Sequence, residues 1–336
     1  MDKYRIGKSS AGTMVMDSYL LSILLKDKTT KRNIIWATND YISYGLAYRF
    51  NEEITIESLT GINGRIIKPR VKKTKDEQNA RSKGKAEVFT PSWVCNKQNN
   101  LVDAAWFGRQ NVFNVETEDG WTTISEKIVF PNEDGKSWQD YVKANRLEVS
   151  CGEAPYLASR YDTVTGDIIP VHNRIGILDR KLRVVSENVD SESDWVFWAR
   201  WAVQSTYGYD WQGDNVLLAR ENLLCTFADH YYEKFGTPVT RDHLIKIAKV
   251  LAWNIWQMDG IKFVIPNSCY PEEDEQLDLF GYYVTEACIG CTTGNHSKHK
   301  GIYAKTFDWV DQHSVIFRSF IDPTFKREKK KHGTKV

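Results

Sequence analysis

The chain has 336 residues, enough for one large α/β domain or two smaller ones, and its 41% hydrophobic, 26% charged composition is that of a folded, soluble protein. A formal net charge of +1 excludes a uniformly basic nucleic-acid-packaging protein and leaves only local basic patches to consider. No apolar run approaches the ~18 residues of a spanning helix, the N-terminus does not open a signal peptide, and six scattered cysteines make no disulfide framework, so a cytoplasmic protein with reduced thiols and no membrane partner is expected.

Residues 1–85 read as an N-terminal segment. Apolar periodicity predicts a helix over Thr13–Lys26 and a strand over Asn33–Trp36. The polar Asn39-Asp40-Tyr41 that follows reads as a solvated strand end rather than a catalytic loop. From Arg65 to Lys85, nine basic residues face only Asp76 and Glu77. Such a basic loop either attracts a phosphate backbone or is simply a solvated surface.

Residues 86–325 read as the main domain. Ala86–Phe89 is a short strand, and Thr90-Pro91 starts a helix through Asp103, since proline at a first helical position costs no hydrogen bond. Leu147–Val149 is an apolar strand running into Ser150-Cys151-Gly152-Glu153-Ala154, with a helix expected from Pro155. Gly152 has no Cβ to block a ligand, and the N–H groups of a following helix would face a polar or anionic group, so a nucleotide-like cofactor is expected there. Arg174–Asp179 reads as a second buried strand ending in an acid, the place where nucleotide-binding α/β folds hold a ribose hydroxyl. A helix cap is the alternative role for Asp179.

Trp195, Phe197, Trp198 and Trp201 recur at helical spacing, a core pattern more often than a cofactor box. Tyr207–Asn215 reads as a strand entering a turn, where Asp214 could accept a hydrogen bond from an adenine amino group, an ordinary turn being the alternative. Helices are predicted over Asn222–Phe235 and Arg241–Gln257, then a strand over Ile261–Ile265 ending at Pro266-Asn267-Ser268-Cys269-Tyr270. The acidic Glu272–Glu275 reads as a solvated loop. Cys288 and Cys291 form a CxxC, followed by His296 and His299. These four borderline-soft ligands suit tetrahedral zinc, with a reduced thiol pair beside polar histidines as the alternative. A strand over Val315–Phe320, then Asp322-Pro323-Thr324-Phe325 and a basic tail over 326–336 close the chain.

In order and spacing, Phe89-Thr90-Pro91, the run from Glu148 to Tyr156, Asp179, and Gly213-Asp214 together resemble the S-adenosylmethionine-dependent DNA adenine-N6 methyltransferases of restriction-modification systems, in particular their restriction endonuclease subunit M sequences. The resemblance spans about residues 86–220 and weakens beyond. It implies a Rossmann-like class I methyltransferase fold, a mostly parallel sheet with helices on both faces. It also implies S-adenosylmethionine as cofactor, with Thr90 at the methionine carboxylate, Glu148, Gly152 and Ala154 in the main cofactor loop, Asp179 on the ribose and Asp214 on the adenine. Double-stranded DNA is the implied partner.

Two departures stand out: Ala154 replaces the usual second glycine, and no Pro-Pro occurs, so the Asp/Asn-Pro-Pro-Tyr/Phe tetrad that holds a flipped adenine is missing. Asn267 with Tyr270, or Asp322 with Phe325, are the available substitutes. The alternatives are a second subunit supplying the loop, or a non-catalytic DNA-binding or regulatory subunit that keeps the fold.

Overall fold

A computed structural model describes residues 4–9, 12–60, 66–85, 90–269, 272–277 and 283–325. In chain order the elements are β1 (Tyr4–Ser9), β2 (Gly12–Met16), α1 (Ser18–Leu25), α2 (Ile56–Leu59), α3 (Lys75–Lys85), α4 (Ser92–Phe107), β3 (Asn114–Glu116), β4 (Trp121–Thr123) and α5 (Trp138–Lys143). There follow β5 (Arg146–Val149), α6 (Ile177–Asn188), α7 (Glu192–Gln204), β6 (Thr206–Asp210), α8 (Gly213–Phe235), α9 (Arg241–Asn254) and β7 (Ile255–Gln257). The chain continues through β8 (Glu272–Leu277), β9 (Tyr283–Glu286), α10 (Ile289–Thr293), β10 (Lys305–Asp308), β11 (His313–Ile316) and α11 (Arg318–Ile321).

The fold is mixed α/β around a three-stranded parallel sheet in the spatial order β5-β6-β7, in register from Arg146 opposite Thr206 to Asp210 opposite Gln257. Parallel neighbours require long crossovers, and helices supply them here: α6 and α7 between β5 and β6, α8 and α9 between β6 and β7. The other sheets among the described residues are two-stranded antiparallel hairpins.

Helix α8 runs through the centre, buried from Gly213 to Tyr231. A buried helix needs partners for its polar side chains, and α8 uses them to fasten loops. Arg220 donates to the carbonyls of Leu24, Ile255 and Ala252, Asn222 donates to the Glu153 carbonyl, and Asp229 accepts from Arg160 and Arg174. One continuous apolar cluster joins Leu20, Trp36, Ile54 and Ile67 to Leu178, Leu217 and Leu251, so residues before 85 share the core of the residues after it.

Several predicted elements change on folding. Arg174–Arg180 is not a strand: Gly176 caps α6, which begins at Ile177. No helix starts at Pro155; residues 151–159 are turns and irregular backbone. Helix α9 ends at Asn254 because Ile255–Gln257 pairs with β6, and the acidic run 272–275 lies in β8 rather than in a loop. Asn33–Trp36 makes only isolated bridges, from Lys26 to Asn33 and from Ile35 to Glu53. Among the described residues no helix is long and apolar enough to cross a membrane.

Candidate functional site

At the carboxyl end of β5 the chain turns through three left-handed residues in five, Ser150 at φ 51°, Gly152 at φ 53° and Ala154 at φ 62°. Two of these carry a Cβ, and a left-handed residue costs roughly 1–2 kcal/mol, so the surroundings hold the turn in a strained shape. The anchors are the Cys151 N–H on the Tyr209 carbonyl at 2.8 Å and the Gly152 N–H on Asp210 Oδ2 at 2.9 Å. A Cβ on Gly152 would meet no atom within 4 Å, so this part of the turn faces open space.

Asp210 ends β6, the strand beside β5, and is the acid that the fold sets against the glycine turn. Burial pushes its carboxyl up to about 6, although the N–H groups of Gln212 and Gly152 favour the charged form. Its Oδ1 accepts from Gln212 N–H and the Asn215 amide, whereas Oδ2 accepts only from Gly152 in the described contacts and keeps capacity for another donor. Sequence reasoning assigns the strand-end acid to Asp179 instead. The usable signal is Thr206-Tyr-Gly-Tyr-Asp, an aromatic-rich run of strand type ending in an acid before a long helix.

On β5 itself, Glu148 is buried deeply enough that its carboxyl is pushed well above the usual range, with the N–H groups of Tyr156 and Leu157 offsetting part of the effect. Its Oε1 meets the Tyr156 N–H at 3.5 Å, and its buried Oε2 has no hydrogen-bond partner among the described residues. Thr90 lies near the same turn: its side chain is among the groups acting on the Tyr156 hydroxyl, and its carbonyl accepts from Thr163 Oγ1 at 2.9 Å. Phe89, the residue before it in the Thr-Pro segment, is outside the described residues. The structure therefore brings Thr90, Glu148, Gly152 and Ala154 to one edge of the parallel sheet.

Asp179 and Asp214 lie elsewhere. Asp179, in the first turn of α6, accepts from the Ser159 N–H at 2.9 Å and pairs with His230 Nε2 at 3.0 Å. It lines a cavity of about 680 Å³ with Trp121, Arg174, Arg183 and His230, in which no residue of the glycine turn takes part. Asp214 is fully buried at the start of α8, held by Arg81 at 2.7 and 3.2 Å, Tyr41 Oη at 2.7 Å and Lys73 at 3.5 Å. Burial alone would raise its pKa, but Arg81 and Lys73 outweigh that and hold the carboxyl far below the usual range. Both of its oxygens are engaged by these neighbours. Tyr41 and Asp40, from the predicted solvated strand end, are part of this cluster, with Asp40 3.6 Å from Arg81.

The basic segment is likewise drawn inward. The Arg70 N–H donates to Glu153 Oε1 at 2.5 Å, and Tyr161 Oη donates to Glu153 Oε2 at 2.5 Å, so residues 68–85 are fastened to the glycine turn at one point and to α8 through Arg81 at another. Lys68, Lys72, Lys75 and Lys83 remain exposed. Arg65 and the basic tail from 326 fall outside the described residues.

Of the substitute loops, Asn267 sits in a left-handed turn at φ 62° and donates to Asn51 Oδ1, while Tyr270 is outside the described residues. Asp322 accepts from Thr324 and pairs with Arg318 at 3.3 Å, and the Phe325 ring packs on Tyr303 at 4.9 Å. Among the described contacts none joins Asn267, Asp322 or Phe325 to the glycine turn.

A second constellation has the chemistry to hold a metal ion. Cys269, Cys288, Cys291 and His299 place their ligand atoms within 4.8 Å of one another. The structure thus brings together three of the four residues expected from sequence and replaces His296 by Cys269. The His296 ring lies 6.2 Å from that of His299, and its Nδ1 is buried without a partner among the described residues. Sequence spacing misses Cys269 because the chain separation from the CxxC carries no fixed pattern; the pairing of Val264 with Tyr303 and the Ile302 N–H on Ser268 Oγ return the two stretches to each other.

No family model matches the chain, and neither a curated protein nor a solved structure is found that matches it.

Proposed function

We propose that the carboxyl edge of β5 and β6 binds S-adenosylmethionine and that the chain is the cofactor-binding part of a DNA adenine-N6 methyltransferase, a modification subunit of a restriction-modification system. The supporting observation is the contact of Asp210 with the Gly152 N–H across adjacent parallel strands. Ligands of open parallel sheets bind in the crevice outside the carboxyl ends of the strands, with an acid from the second strand on the ribose. In this reading β5, β6 and β7 are the first three strands of a Rossmann-like sheet, Asp210 takes the ribose hydroxyls, and the open face of Gly152 admits the cofactor backbone. Glu148 offers its Oε2, which has no hydrogen-bond partner among the described residues, to a donor such as the methionine ammonium, and Thr90 lies at that same end.

The exposed lysines at 68, 72, 75 and 83 supply phosphate contacts to double-stranded DNA. Methyl transfer also needs the adenine N6 lone pair aimed at the sulfonium methyl, with acceptors for the N6 protons. Asn267 and Asp322 already have partners of their own, so a second subunit provides the base-holding loop.

Calorimetric titration of the full chain with S-adenosylmethionine tests the reading. Binding at one site, weakened ~10–150-fold by Asp210→Asn through loss of a charged hydrogen-bond acceptor, is expected. No binding to the wild-type chain refutes it. A second reading, a non-catalytic DNA-binding subunit of the same fold, is favoured by the absence of any Pro-Pro in the sequence. Labelled methyl transfer to DNA by this chain alone would refute that one.

A further inference from the structure

We propose that Cys269, Cys288, Cys291 and His299 form a closed tetrahedral zinc site that fastens the turn after Val264 to the segment 288–303. His299 Nδ1 lies 3.7 Å from Cys269 Sγ, 3.7 Å from Cys288 Sγ and 3.6 Å from Cys291 Sγ. With zinc–sulfur bonds of ~2.3 Å and a zinc–nitrogen bond of ~2.05 Å, tetrahedral angles demand a sulfur–nitrogen separation of ~3.6 Å. All three distances meet that value.

Hydrogen bonding cannot account for the convergence. A neutral imidazole nitrogen either accepts one S–H or donates one N–H, so three sulfurs around one nitrogen exceed its capacity, while thiolates crowded together need a cation. The surrounding backbone is shaped for ligation. Cys288-Ile289-Gly290-Cys291 turns back on itself, with the Cys291 N–H on the Cys288 carbonyl at 2.9 Å, and the Lys300 N–H points at Cys288 Sγ at 3.2 Å. Both neighbouring glycines are sterically required. A Cβ at Gly290 would come within 2.6 Å of His299 Nδ1, and one at Gly301 within 2.6 Å of Cys269 Sγ.

Four protein ligands leave no open position, which makes the ion structural rather than catalytic. The local need is clear from the packing. This part of the chain rests on a small apolar cluster of Tyr209, Trp256, Met258, Ile265, Ala304 and Phe317, apart from the main core. A metal adds the cross-link that so small a core does not provide. Through the Ile265 N–H on the Ile302 carbonyl and the Asp259 N–H on the Val264 carbonyl, the site is tied to the end of β7. The zinc site does not depend on the methyltransferase reading.

Elemental analysis of the purified full chain, prepared without a metal-affinity step, should find about one zinc per chain. Cys269→Ser, Cys291→Ser and His299→Ala should each lose the metal, and His296→Ala should keep it. If the variants fail to fold, cobalt exchange into the wild-type chain decides: a tetrahedral visible spectrum with strong thiolate charge transfer from three sulfurs supports the site. A wild-type chain without zinc that takes up no cobalt, an octahedral cobalt spectrum, or metal lost by His296→Ala and kept by Cys269→Ser would overturn it.

Discussion

Replacing Asp210 by asparagine removes a charge that the native fold holds at a cost. In the folded chain the carboxyl titrates at about 6, raised by burial from an ordinary value of 3.8. The unfolded chain therefore releases this proton first, and the stability the protonated group confers is present below about pH 4 and lost as pH rises through 6. Integrated from pH 4 to pH 7, ionisation of Asp210 takes about 2 kcal/mol from the wild-type protein. The amide side chain of the Asp210→Asn variant does not titrate, so the stability of the variant relative to wild type should rise by that amount over the same interval. At an unfolding entropy of ~2.1 cal/mol/K per residue, this is a relative change in Tm of about 3 °C for the whole chain.

Thermal melts of both proteins at half-unit steps from pH 4 to pH 7 read the slope directly. A constant offset, from the Gly152 N–H facing an amide instead of a carboxylate, leaves that slope unchanged. A difference in Tm that is flat with pH, or that falls, would refute the assignment of a buried, destabilising carboxylate at the strand end. Adding S-adenosylmethionine at neutral pH should raise the wild-type Tm and raise that of the variant much less, since the charge that destabilises the empty fold is the one proposed to bind the ribose.

Arg81→Ala should destabilise the chain by ~3–5 kcal/mol in denaturant titration, because it strips a fully buried carboxylate of its closest cation, whereas Arg81→Met combined with Asp214→Leu should recover most of that loss. Because Asp214 is held far below its ordinary range, the stability from its pairing is present above about pH 4 and is lost as pH falls further. Gly213→Ala should cost ~1–3 kcal/mol in the same measurement, since its Cβ would come within 2.1 Å of the Ile35 carbonyl oxygen. If Lys68, Lys75 and Lys83 contact DNA phosphates, replacing each by Ala should flatten the dependence of log K on log salt by about 0.9 per residue, with affinity falling alike for all sequences. A slope that does not change would place the DNA on another face.

The local features are legible in the sequence because local chemistry produces them. Proline at the start and glycine at the end bound α4, the aromatic stripe from Trp195 to Trp201 lies on α7, and Gly152 marks a turn that does adopt positive φ. The CxxC at Cys288 and Cys291 likewise marks a candidate ligand pair by spacing alone. Tertiary structure decided which partners these features meet. Arg174–Asp179 has the apolar content of a strand, yet the sheet places Thr206–Asp210 beside β5, so Asp210 rather than Asp179 ends at the glycine turn. Arg81 and Asp214 read separately as a loop charge and a turn acid, and only burial against α8 makes them one ion pair. Cys269 joins Cys288, Cys291 and His299 because pairing of Val264 with Tyr303 returns it to the CxxC. Periodicity and turn propensity act over a few residues, whereas ion pairs and ligand sets are chosen by three-dimensional proximity between distant positions, which no local pattern encodes.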